Sequence, residues 1–138
     1  DKNMAENRVG PERIKGAYAW RSFLHQGSRI ACGSDFPVES PNPFFGIHAA
    51  VTRQDASGQP IAGWYPNQAM SLKEAFRCFT LDAAYAGHAE NSLGSLEAGK
   101  WADFIVVDQD LFKVSPYEIY KTGVLQTWVA GKAVYQKP

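Results

Sequence analysis

The chain has 138 residues, 45% hydrophobic and 20% charged, which describes a folded domain with a real core and excludes a disordered segment. Fourteen basic residues balance fourteen acidic ones, so there is no electrostatic ground for a nucleic-acid partner or for an anionic membrane surface. No apolar run approaches the roughly 20 residues of a membrane-spanning helix, and the first residues carry no leader pattern.

The opening DKNMAENRVGPER begins with Asp rather than Met and reads as a sequence entered midway, so a piece of a longer polypeptide is expected. Gly10-Pro11-Glu12 predicts a helix start, because proline suits the first helical position and an early glutamate suits the positive end of the helix dipole. Ile14, Ala17, Trp20 and Leu24 then recur at helical spacing up to Gly27, a natural stop. The run Ile30-Ala31-Cys32 predicts a short buried strand. It opens into SDFPVESPNP, whose three prolines exclude a central strand. A second helix is predicted from near Pro43, with Phe44, Ile47 and Val51 on one face. RQDASGQPIAGWYPNQAM follows as a long connection of the kind that is often functional.

Ser71-Leu72-Lys73-Glu74 is a capping box opening a third helix, with Leu72, Ala75, Phe76 and Phe79 as its apolar stripe. A shorter helical piece is expected over Leu81 to Ala86. Past a turn-rich bridge the pattern becomes β-rich: ADFIVVD is one strand run, and VLQTWVAGKAVY is two, around a tight turn at Gly131-Lys132. The α/β part is therefore expected over residues 1–91 and a β-rich tail over residues 92–138. Cys32 and Cys78 lie in apolar runs and read as two buried thiols. With no paired spacing, a reducing cytoplasm is the expected compartment.

Asp35 is the residue that invites a chemical reading. In parallel α/β folds, catalytic groups gather outside the carboxyl ends of strands, and Asp35 stands just beyond the predicted strand. A carboxylate there can bind a cation, accept a proton, or cap the turn into Phe36-Pro37. Local pattern leaves these roles open.

Taken together, GPERIKGAYAWRSFL, GSDFPVESPNPFFGIHAAVTRQD and LGSLEAGKWADFIVVD resemble, in order, the C-terminal portion of an amidohydrolase-superfamily protein. The nearest group is the amidohydrolase family 3 set of metal-dependent hydrolases, the YtcJ-like proteins. The resemblance implies an α/β fold in which residues 1–91 close a TIM-type barrel and residues 92–138 add strands to a small composite β-sandwich. It implies a small-molecule substrate hydrolysed at a non-peptide carbon–nitrogen bond, an amide or cyclic amide. It also implies a divalent metal, with zinc as the expected ion. In that family the Asp of the GSD motif, matched by Asp35, contacts the metal and shuttles a proton to and from the metal-activated water.

The remaining donors of such a site are missing from the sequence. The superfamily uses a His-x-His pair and further histidines, and His-x-His appears nowhere here. His25 reads as a helix C-terminal residue, His48 as lying on a helix flank and His88 as a turn residue; none reads as a ligand. One carboxylate cannot supply the three or four protein donors of a metal site, so this chain alone is expected to be inactive. Trp20, Phe44-Phe45 and Trp64-Tyr65 read as packing rather than a substrate mouth, and Arg53 as a solvated or helix-capping arginine. A competing reading is a non-catalytic α/β module or remnant that completes a barrel with a partner chain. Because a whole TIM barrel takes roughly 250 residues, this chain is expected to leave apolar faces uncovered and to self-associate.

Overall fold

A computed structural model describes residues 2–138. Helix α1 (Lys2–Arg13) is kinked at Gly10, whose φ of +75° is not helical, so a separate helical turn does begin at Pro11. It does not run on to Leu24. A 3-10 turn at Ile14–Gly16 ends in extended Ala17, and helix α2 (Trp20–His25) starts afresh after Tyr18, which has a φ of +51°. Tertiary contacts override the helical spacing here. The Tyr18 ring packs edge-on against Trp20 and Trp64, with centroids 6.4 and 5.6 Å away, and its carbonyl accepts from the Arg53 guanidinium.

Helix α3 (Pro43–Thr52) begins where proline predicts, and the Asn42 side chain caps it by accepting from Phe44 N–H at 3.0 Å. Helix α4 (Leu72–Phe79) carries the reciprocal capping box of Ser71 and Glu74, and α5 (Leu81–Ala86) follows directly. Among the described residues, no helix is long and apolar enough to cross a membrane.

Strands β1 (Phe104–Val107), β2 (Val124–Val129) and β3 (Lys132–Gln136) form one antiparallel sheet in the order β1-β2-β3. The β2–β3 turn is Ala130-Gly131, one residue earlier than predicted. Both residues have positive φ, 48° and 74°, the paired left-handed geometry that a two-residue hairpin requires. Phe104 and Trp128 stack across β1 and β2 with centroids 5.5 Å apart.

The segment Ile30–Cys32 is not a strand. A strand exists only through its ladder partners, and none of the three strands pairs with this segment. Instead Cys32 N–H donates to the Cys78 carbonyl at 3.0 Å, and the two sulfurs are bonded, with Cα atoms 5.1 Å apart. This corrects the reading of two free thiols and removes the ground on which a reducing compartment was inferred. Apolar surroundings suit a disulfide as well as a buried thiol, and the pairing depends on a 46-residue separation that closes only in the fold.

The core gathers Phe44, Ile47 and Ala50 of α3, Ala75 and Cys78 of α4, and Met70 before α4. It is completed from the C-terminal third by Leu111 and Ile119, with Val107 and Val124 packed at its edge. Helices and sheet thus share one apolar interior.

Candidate functional site

Gly27, with a φ of +81°, ends the turn after α2, and an extended stretch leads past the Cys32–Cys78 link to Gly33-Ser34. Asp35 comes next in left-handed conformation, with a φ of +51°. Its carbonyl accepts from Val38 N–H at 2.8 Å, closing the turn across the cis Phe36–Pro37 bond. The backbone therefore closes the turn without the carboxylate. That side chain is exposed and has no hydrogen-bond partner among the described residues. Phe36 and Val38, beside it, are exposed apolar residues.

Gly33 and Ser34 line an open cavity of about 700 Å³ whose other walls come from α3, Arg53–Ala56 and Trp64. Trp20, Phe45 and Trp64 form apolar wall; His48, Arg53 and Gln54 bring polar groups. The connection from α3 to α4 is ordered by its own side chains. Asp55 Oδ1 accepts from Ser57 N–H, the Ser57 hydroxyl and Gln59 N–H at 2.9, 2.6 and 3.1 Å. The Ser57 hydroxyl first, then Gln59 N–H and the Lys2 ammonium, holds the Asp55 carboxyl well below the usual carboxylate range. Gln54 Nε2 donates to the carbonyls of Pro60 and Ile61.

Arg53 departs from its solvated reading. It does end α3, as the C-cap in left-handed conformation, but it is only 5% exposed. Its guanidinium lies 4.4 Å from the Trp20 ring centroid and 5.0 Å from that of Trp64. Nε donates to the Trp64 carbonyl at 2.9 Å and Nη1 to the Tyr18 carbonyl at 3.2 Å, while Nη2 is buried with no partner. Burial pushes its pKa down from the ordinary guanidinium value. Nothing local in AVTRQD separates a buried arginine from a surface one; the cage is built by aromatic residues distant in sequence.

The histidines do not converge on Asp35. His48 is 2% exposed, with Nδ1 3.1 Å from the Pro116 carbonyl oxygen and Nε2 3.3 Å from that of Asp55. It joins α3 to the 3-10 turn Pro116–Lys121 rather than sitting on an open flank, and Tyr120 packs edge-on against its ring. His25 is the last residue of α2, and His88 lies in the turn after α5 with a φ of +54°. Among the described residues no group of three or more His, Cys, Asp or Glu side chains could hold a metal ion. Among the described residues the donor set does not fit a metal centre: no three such side chains come together around Asp35, where three or four donors are needed.

With this geometry in view, the chain belongs to the amidohydrolase family, whose model matches residues 1–135. It is 31% identical to YtcJ of Bacillus subtilis over 131 residues, covering 95% of this chain and 25% of that protein. It is 32% identical to LONG AFTER FAR-RED 3 of Arabidopsis thaliana, covering 98% of this chain and 23% of that protein. It is 33% identical to the N-substituted formamide deformylase of Arthrobacter pascens, covering 85% and 21% respectively. The crystal structure of an amidohydrolase from Thermotoga maritima superposes with a TM-score of 0.62 at 20% identity, over 99% of this chain and 34% of that one, a likeness of fold. The chain thus spans about a quarter of the length of the curated relatives it matches.

Proposed function

We propose that this chain is the C-terminal part of a metal-dependent hydrolase acting on small molecules at a non-peptide carbon–nitrogen bond, with Asp35 as its proton-shuttling carboxylate. In this reading residues 1–91 close a TIM-type barrel and residues 92–138 contribute to a small β-sandwich. Family membership supports it, as does the formamide deformylase among the relatives. The observation that carries it is the state of Asp35: exposed, not used to cap its own turn, and directly after two cavity-lining residues. A divalent ion held by donors elsewhere in the longer polypeptide would make a water acidic enough to lose a proton near neutral pH. The part played by Asp35 is to take a proton on a carboxylate oxygen and return it to the departing nitrogen. Asparagine at this position keeps the size and loses the basicity.

In the full-length protein Asp35→Asn should lower kcat by about 10²–10⁴-fold while leaving thermal stability nearly unchanged. Undiminished turnover would refute the role. The chain by itself should neither hold zinc stoichiometrically nor turn over an amide, and it should self-associate through the apolar surface it exposes, which sedimentation would report. An alternative, a non-catalytic module that completes a barrel with a partner, is favoured by the incomplete donor set. It gains if the full-length protein also lacks the remaining ligands.

A further inference from the structure

The segment that carries Asp35 is held to the rest of the fold at few points, and the strongest of them is covalent. Ser28 N–H donates to the Phe23 carbonyl at 3.0 Å, and Asn42 caps α3. Between these two, among the described residues, one backbone hydrogen bond reaches another element. It runs from Cys32 N–H to the Cys78 carbonyl, the same residue pair that the disulfide joins. Otherwise the Arg29 guanidinium rests 4.1 Å from the Tyr85 ring centroid, and Ile30 packs at the edge of the core. Residues 35–41 are all exposed. The other end of the link is fixed in place: Cys78 is 2% exposed within α4, a helix opened by its capping box and packed into the core. Cys78 Sγ also lies 3.2 Å from the Ala75 carbonyl oxygen, an acceptor in position for the S–H that reduction would create.

We propose that the Cys32–Cys78 link is a redox switch on the position of Asp35. With the link closed, Asp35 stands three residues from a fixed point, a reach of about 11 Å for extended chain. Opening it leaves one hydrogen bond at Cys32, for which water competes. Once that bond yields, the nearest upstream hydrogen bond to another element is at Ser28, seven residues from Asp35 and a reach of about 25 Å. Helix α4 keeps its place, because its capping box and apolar packing do not involve the sulfur–sulfur bond. The step is thiol–disulfide exchange with a dithiol. Cys32 is the more open end of the link, half-buried between exposed Ala31 and Gly33. One thiolate of the reductant bonds to Cys32 Sγ as the link breaks, and Cys78 leaves as a thiolate that takes up a proton. The second thiol of the reductant then displaces Cys32, which is protonated in turn. The link gains two electrons and two protons, and the dithiol becomes a disulfide. The consequence for catalysis rests on the proton-shuttle reading of Asp35: reduced, Gly33, Ser34 and the carboxylate after them lose their fixed place at the cavity. The switch itself does not rest on that reading.

The test uses the 138-residue chain, oxidised or reduced with dithiothreitol, the reductant being removed before a brief trypsin pulse. Cleavage is followed after Arg29, in the tethered segment, and after Arg77, beside Cys78 in α4. Proteolysis of a folded chain reports the population of locally open forms. Cleavage after Arg29 should be about tenfold faster or more in the reduced chain, and reoxidation should restore the slow rate. Arg77 should resist cleavage in both states. Cys32→Ser should be cut fast after Arg29 whether or not it has met dithiothreitol. Equal rates after Arg29 in oxidised and reduced wild type overturn the proposal. Equal acceleration after Arg29 and Arg77 overturns it as well, because it marks the link as a staple of the whole fold. If Cys32→Ser does not fold, the wild-type comparison decides alone. Turnover retained by Asp35→Asn in the full-length protein would remove the catalytic consequence and leave these rates unchanged, so the two readings fail separately.

Discussion

Glu74 ties three segments of this fold together, and replacing it by glutamine should produce a stability defect that depends on pH. Its two oxygens accept from Arg21 Nη1 and Nη2, each at 2.7 Å, and it accepts from Ser71 N–H and the Ser71 hydroxyl at 2.7 Å as well. Arg21 continues to the Ala69 carbonyl, so one ion pair links α2, the end of the long connection and the first turn of α4. The hydrogen bonds from Arg21, the largest cause, hold the Glu74 carboxyl down from an ordinary 4.5 to about 2. A folded-state pKa below the unfolded one gives stability that is fully present above pH 4.5 and is lost as pH falls toward 2. Taken whole, that depression corresponds to about 3 kcal/mol. The side chains of Arg21 and Glu74 are 25% and 32% exposed, and solvent screening reduces the contribution to about 1–2 kcal/mol. Glutamine can still accept from Ser71 N–H, so most of the loss is of charge rather than of the cap. Urea titrations of wild type and Glu74→Gln should therefore differ by about 1–2 kcal/mol at pH 7, and the curves should converge near pH 2. A gap that stayed constant from neutral pH down to pH 2 would refute the argument, because it would mean that the loss is of shape and not of charge.

Three further outcomes are expected. The Cys32–Cys78 link closes a loop with a sequence separation of 46, so reduction should lower unfolding stability by about 4 kcal/mol by loop entropy; titratable free thiols in the unreduced, denatured chain would contradict the pairing. Gly94 has a φ of +87°, and a Cβ there would come within 2.8 Å of Ala84 Cβ and 3.1 Å of Leu81 Cα and the Thr80 carbonyl oxygen. Gly94→Ala should therefore cost about 2–4 kcal/mol by chemical denaturation, from left-handed strain and overpacking together; a change under about 1 kcal/mol would mean that the bridge after α5 moves freely. Ile119 is fully buried among residues of α3 and α4, so Ile119→Ala should cost about 2–5 kcal/mol and lower the helix and sheet transitions together. Separate unfolding of the two would show that they do not share a core.

Where structure is local, the sequence was sufficient. The Ser71–Glu74 capping box, the proline start at Pro43 and the two-residue hairpin each need only neighbours a few residues away, and each appears within about a residue of its expected place. The family was legible too, because ordered motifs survive in the chain whatever it folds against. Asp35 stood out in the sequence as a charged residue just past an apolar run. What its carboxylate contacts was not available from sequence, and the turn proved to be closed by its carbonyl instead. The rest required tertiary structure. Ile30–Cys32 has strand composition, but a ladder needs a partner, and none of the three strands pairs with it. The helical spacing through Ala17 and Trp20 yields to aromatic contacts with Trp64. Cys32 and Cys78 pair, and Arg53 is caged, only because residues distant in the chain meet in space. Local hydrogen bonds and steric preferences act over a few residues and can be read directly; burial and charge compensation depend on what the whole fold brings alongside.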